Sequence, residues 1–164
     1  MRVQRTTRTV TTGLAAALAA TLLAASPAVA SGHSILREDL MGTFPLTDPV
    51  NPSPTIAGVD PGGAPWVIDD DSEVRVREDG RITVELDHLV IPGRTPGNPA
   101  LFMAASLVCD DMVVSTTDRF PVDPDGNGET SDHIWVPDDC DDPIVLIRNA
   151  TNGLGAYFAV AMDD

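Results

Sequence analysis

The sequence predicts an all-β protein: an antiparallel two-sheet sandwich of about seven or eight short strands tied by one disulfide, with a small closed β-barrel as the alternative packing. Three observations carry this prediction. Val74 and Val76, then Ile82, Val84 and Leu86, alternate with polar neighbours, as in strands buried on one face. Residues 100–109 are almost wholly apolar, as in an interior strand covered on both sides, whereas an amphipathic helix would show a polar stripe. Turn residues separate the apolar stretches throughout.

In chain order, residues 1–30 carry the marks of an export signal: Arg2, Arg5 and Arg8, an Ala/Leu-rich run from Gly13 to Ala25, and the small residues Ala28-Val29-Ala30 before the expected cleavage point. That run, about 13 residues long, is too short to cross a hydrocarbon core that needs about 20. The expected product is a secreted, extracellular protein that is not membrane-embedded. Residues 31–65 form an N-terminal segment and arm. Ile35, Leu36, Leu40 and Met41 anchor a short helix, a first strand or a tail. Pro45, Pro49, Pro52, Pro54, Pro61 and Pro65 then impose an extended course laid over the domain surface. Residues 66–164 are the expected sandwich. Asp79-Gly80 offers a type I′ turn between two alternating strands, and a phase shift at Asp87 and His88 marks a bulge or a sheet switch. Further strands are expected at 112–115, 130–136, 143–148 and 156–162.

The charge limits the partners. The chain has 10 basic and 25 acidic residues, every basic one an Arg, for a net charge of −15. Loss of the signal removes three arginines and no acid, taking the charge to −18. Nucleic acid and anionic membranes are therefore poor partners, and the expected partner is an unidentified extracellular one. The two cysteines, Cys109 and Cys140, read as a disulfide, because an even pair in a small exported domain is stapled more often than it is left as thiols.

Pro65-Trp66-Val67-Ile68, Asp79-Gly80-Arg81-Ile82, Leu89-Val90-Ile91-Pro92, Asn98-Pro99, Cys109, Val136-Pro137, Cys140 and Pro143-Ile144-Val145 follow in an order that resembles a group of small secreted actinobacterial proteins of unassigned activity. The resemblance spans roughly 65–161 and implies an exported, disulfide-tied β domain. It brings over turn, core and disulfide positions and no catalytic residue.

Four groupings carry possible chemistry. Asp123, Asp125 and Asn127, followed by Glu129 and Ser131, match the first half of a calcium loop: alternate oxygen donors with Gly126 at the sharp turn, but Ile134 where a bidentate Glu would close the shell. Ca²⁺ is the one candidate cofactor, and an Asp/Gly-rich hairpin tip is the structural alternative. Cleavage after Ala30 places His33 third from a free amine, a square-planar nitrogen set suited to Cu(II). His88 and His133 each follow an Asp, but neighbours on a strand face opposite ways, so neither pair is automatically a base with its orienting acid. Trp66, Trp135 and Tyr157 offer either a sugar-stacking platform or core packing. The expected function is non-catalytic extracellular binding or envelope interaction. The alternative is a small extracellular hydrolase assembled from distant residues such as His88 and His133.

Overall fold

The computed structural model describes residues 32–163, so the signal expected at 1–30 lies outside the described residues. Ten strands, among the described residues, build two antiparallel sheets. The smaller contains β1 (Ser34–Asp39), β3 (Glu73–Arg77), β4 (Arg81–Leu86) and β8 (Gly128–His133), in the order β1-β3-β4-β8. The larger has the order β2-β10-β9-β5-β6, formed by β2 (Met41–Gly42), β10 (Tyr157–Met162), β9 (Ile144–Asn149), β5 (Phe102–Cys109) and β6 (Met112–Thr116). The two-residue strand β7 (Phe120–Pro121) also pairs with β5. Two separate sheets make this a sandwich and not a closed barrel. The strands beyond the expected seven or eight are β1, whose sequence left helix, strand and tail open, and the fragments β2 and β7.

Strands before residue 66, the expected start of the sandwich, also belong to it: β1 edges the small sheet and β2 edges the large one. The β3–β4 hairpin also differs from its expected turn. Of Asp79 and Gly80 only Gly80 has positive φ (+87°), and its N–H donates to the Arg77 carbonyl at 2.9 Å. A type I′ turn needs positive φ at both central residues, so this is a three-residue connection with glycine in the left-handed position. A Cβ on Gly80 would stand 2.3 Å from the Ile134 carbonyl, a second reason for glycine here. The two-residue turn with both central φ positive lies instead at Asp110 (51°) and Asp111 (59°), between β5 and β6. At His88 the chain takes φ +57° and leaves the small sheet, after which Val90 bridges Val67. The phase shift in the sequence is thus an exit from the sheet.

The main core lies between the sheets, where Val74, Val76, Ile82 and Val84 meet Met103, Ala105, Leu107, Val145 and Ile147. Trp66 closes one end, stacked on Phe158 with ring centroids 4.0 Å apart. The disulfide joins Cys109, the last residue of β5, to Cys140 in the connection that follows β8. It ties the large sheet to the strand leaving the small one. Closing a loop of 31 residues in the unfolded chain contributes about 3.7 kcal/mol on the chain-entropy account.

A second apolar cluster lies on the opposite face of the large sheet, where Val108, Leu146, Tyr157 and Val160 are covered by Ile56 and Val59 of the proline-rich arm. Ile56 and Val59 exchange backbone hydrogen bonds of 3.0 and 2.8 Å across Ala57-Gly58, making a minimal hairpin at the tip of the arm. Further along, the Gly62 N–H donates to the Tyr157 carbonyl (2.8 Å) and the Tyr157 N–H to the Asp60 carbonyl (3.1 Å), so the arm runs parallel to the start of β10. The buried Tyr157 hydroxyl donates to the Pro54 carbonyl.

Burial, with the nearby Asp60 charge as the lesser cause, pushes the Tyr157 phenol up to about 12 from the ordinary 10.0. A raised folded value means that the stabilisation is fully present below the ordinary value and is lost as pH rises through about 12. Tyr157 is the one tyrosine of the chain, so the alkaline near-ultraviolet phenolate titration reports it alone. The expected midpoint is close to 12, coincident with release of the arm. Tyr157→Phe abolishes the titration and costs about 1 kcal/mol in chemical denaturation; a midpoint at the ordinary value would contradict the packing of the arm.

Candidate binding surface

The outward residues of the small sheet fall into rows set by the strand register. Asp39, Glu73, Glu85 and Glu129 stand opposite one another across β1, β3, β4 and β8. The next row is Arg37, Arg75, Thr83 and Ser131. The third holds Arg77 and Arg81, which flank the β3–β4 turn, with His133 opposite Arg81. Alternation turns Val74, Val76, Ile82 and Val84 inward and these residues outward.

No segment of the described chain plays over this face the part that the arm plays over the large sheet. Glu73, Thr83, Glu85, Glu129 and Ser131 line a shallow depression of about 530 Å³ on it. Four of the ten arginines occupy this one face, yet the described residues contain a single ion pair, Arg37 to Glu73 at 3.5 Å, with both side chains exposed. Arg75 donates through Nε to the Ser34 hydroxyl (3.3 Å).

The expected calcium shell is not assembled. Asp123 Oδ1 accepts the N–H groups of Asp125 and Asn127, both at 2.9 Å, and its Oδ2 accepts the Asn127 side-chain amide at 3.1 Å. The Asn127 Oδ1 accepts the His88 N–H at 3.1 Å. Glu129 and Ser131 project from β8 onto the open face, opposite Glu85 and Thr83. Among the described residues no three of His, Cys, Asp and Glu gather to hold a metal ion. The motif is instead a clamp: the Leu89 N–H donates to the Gly126 carbonyl (3.1 Å) and the Asn98 N–H to the Pro124 carbonyl (3.0 Å), docking the loop on segment 88–98. Gly126, at φ +91°, lies so close that a Cβ would meet the Leu89 backbone at 2.5 Å. Oxygen donors at alternate positions serve a turning backbone as well as a cation, which is why the sequence reads both ways.

The other groupings separate as well. Ser31, the terminal residue of the copper motif, lies outside the described residues; His33 is exposed, and its carbonyl accepts the Glu78 N–H at 3.0 Å. Asp132 accepts two backbone donors, the His133 N–H through Oδ1 (2.7 Å) and the Asp118 N–H through Oδ2 (2.8 Å). His88 is exposed on the segment that meets the clamp loop. Trp66 and Tyr157 are buried core residues, the core-packing alternative, and Trp135 alone of the three is exposed, at 64%. The charge rows carry no motif in the sequence, since Glu73, Glu85 and Glu129 become neighbours only through strand pairing.

No family model, curated protein or solved structure matches the chain. Among the described residues no helix is long and apolar enough to cross a membrane.

The Asp123 carboxyl is held below its ordinary 3.8, first by the Asn127 backbone N–H and then by the Asn127 side-chain amide. A depressed folded value stabilises the loop above the ordinary value and is lost as pH falls through the lowered one. Asp123→Ala is expected to lower the melting temperature at neutral pH and to remove this acid-sensitive component. In the parent, Ca²⁺ and Mg²⁺ at equal concentration should shift the melting temperature alike, by screening of the net charge. A calcium-selective rise that disappears in Asp123→Ala would restore the metal site.

Proposed function

We propose that the protein is a secreted, non-catalytic binding protein that engages an extracellular or envelope ligand through the open face of its small sheet. The observation that carries this reading is the segregation of charge on that face. Opposite charges placed directly across strands stabilise a sheet by about 0.2–1 kcal/mol a pair, and like charges so placed destabilise it. This sheet sets Arg37 opposite Arg75, Glu73 opposite Glu85, and Glu85 opposite Glu129. Exchanging charges between rows would stabilise the fold without disturbing the core. Local rules of this kind are broken most often where a surface is kept for a ligand.

A binding role also suits the shape of the face, an exposed, rigid lattice of polar side chains on hydrogen-bonded strands. The hydrolase reading would need an acid hydrogen-bonded to the His133 imidazole, whereas the bonds its neighbour Asp132 accepts come from backbone N–H groups.

The test is cosedimentation of the protein with washed envelopes of the cells that secrete it. The parent should pellet with them. Arg75→Glu is expected to melt no lower than the parent because position 75 faces Arg37, and Thr83→Arg slightly lower because position 83 faces Arg75. Each should reduce the bound fraction several-fold at a temperature where both are folded, and Leu154→Arg, in the β9–β10 connection, should not. Retention by both face variants, or loss in Leu154→Arg alone, would contradict the proposal.

A further inference from the structure

Resting on the open-face reading, we propose that its turn end binds a carboxylate-bearing polysaccharide, through Arg77, Arg81 and the exposed Trp135. Arg77 and Arg81 flank the β3–β4 turn, and Arg81 pairs with His133 across β4 and β8. Ile134 continues this ladder by one residue: its N–H donates to the Gly80 carbonyl at 2.8 Å and its side chain is buried in the core. The extended chain therefore turns the next residue, Trp135, to the outer side, in line with His133. An indole is costly to leave in water, and here it is 64% exposed.

The chemistry of this corner is selective. Guanidinium forks pair with carboxylates in a planar, two-pronged geometry that a point charge does not supply. An exposed indole offers a flat apolar surface on which the C–H face of a sugar ring can rest, with its N–H left to a hydroxyl. Together they describe an acidic sugar better than a neutral glycan, which would leave the arginines unused, or a phosphate polymer, which would leave the indole unused. Arg77, Arg81 and His133 span about 10 Å across three strands at a spacing of about 4.8 Å, a line along which an extended polymer can run.

The negative charge of the rest of the protein does not forbid this. The row of Asp39, Glu73, Glu85 and Glu129 lies two rows away, about 13 Å along the strands, beyond the screening length of about 8 Å at physiological ionic strength. Several acids lie nearer: Glu78 and Asp79 in the turn itself, Asp138, which lines a pocket with Glu78, and Asp132 beside His133, whose two oxygens accept the His133 and Asp118 N–H groups. Asp79 Oδ1 accepts the Arg81 N–H at 3.1 Å, which holds that oxygen toward the backbone.

Affinity electrophoresis through gels containing polygalacturonate, with titration calorimetry on the same polymer, tests the proposal. Neutral galactan and inorganic polyphosphate serve as comparisons. Polygalacturonate should retard the protein, galactan should not, and added salt should weaken the binding. Trp135→Ala and the double variant Arg77→Ser/Arg81→Ser should each weaken it about tenfold or more, equivalent to about 1.4 kcal/mol. Arg94→Ser, which removes an exposed arginine in the segment docked by the 123–127 loop at the opposite end of β8, should not. No retardation, equal retardation by galactan, or polyphosphate binding indifferent to Trp135→Ala would overturn it. If polygalacturonate fails while envelope binding still depends on Arg75 and Thr83, the ligand class falls and the open-face reading stands. Loss of both dependences removes both.

Discussion

Because β5, β9 and β10 are apolar on both of their alternating faces, the large sheet has to be covered twice, and the layout of the molecule follows from that requirement. Met103, Leu107, Val145 and Ile147 look toward the small sheet, whereas Val108, Leu146, Tyr157 and Val160 look the other way. At about 25 cal/mol for each Å² of apolar surface removed from water, an uncovered second face would be a severe liability. Among the described residues no helix lies over it. The proline-rich arm serves instead, since its missing N–H donors leave it unsuited to a sheet interior and well suited to an extended covering strip. The polar groups trapped beneath it are satisfied: the Thr43 hydroxyl donates to the Phe158 carbonyl at 3.1 Å, and the Tyr157 hydroxyl reaches Pro54.

The small sheet is in the opposite position. Its outward residues are polar, need no apolar cover and receive none from the described chain. Asymmetry of covering thus separates an apolar, covered face from a charged, open one, and the disulfide from Cys109 to Cys140 links the two sheets. The end of the sandwich at which β4 finishes and β8 begins is closed by loops whose polar groups turn inward on themselves. In one, Asp123 gathers the amides of its own turn; in another, the Ser72 hydroxyl accepts the Asp87 N–H at 2.8 Å and donates to the Asp87 carbonyl at 3.1 Å. Such loops hold shape and leave few free donors for a ligand, which moves interest to the sheet face.

The elements legible in the sequence were those whose own side chains record their burial. Val74 to Leu86 alternate, and 102–109 are apolar on both faces, so the hairpin and the interior strand are read directly. The strand β8 carries no apolar residue: Gly128, Glu129, Thr130, Ser131, Asp132 and His133 hold their place through pairing with β4, and the expected strand began two residues late and ran past His133. The edge strand β1 stayed ambiguous because one inward residue, Leu36, is all that its pattern offers. The candidate site was not legible at all, since like charges 12 and 44 positions apart become a row only once the register is known. The Asp123 to Asn127 motif reads two ways for a related reason: composition names the oxygen donors, and only geometry shows the backbone and side-chain amides they accept within the chain.

The central claim is that the arm is a structural layer of the sandwich and not a tether resting on it. Native-state hydrogen exchange resolved by residue tests this directly. The Thr43 amide donates to the Phe158 carbonyl at 3.1 Å, the Trp66 amide to the Thr43 carbonyl at 2.7 Å, and the Gly62 amide to the Tyr157 carbonyl at 2.8 Å. If the arm is a layer, these three exchange only through global unfolding, with the protection of Leu146 and Ile147 in β9 and with the same dependence on denaturant. Exchange of the three at rates close to those of an unfolded chain, while β9 stays protected, would contradict the account.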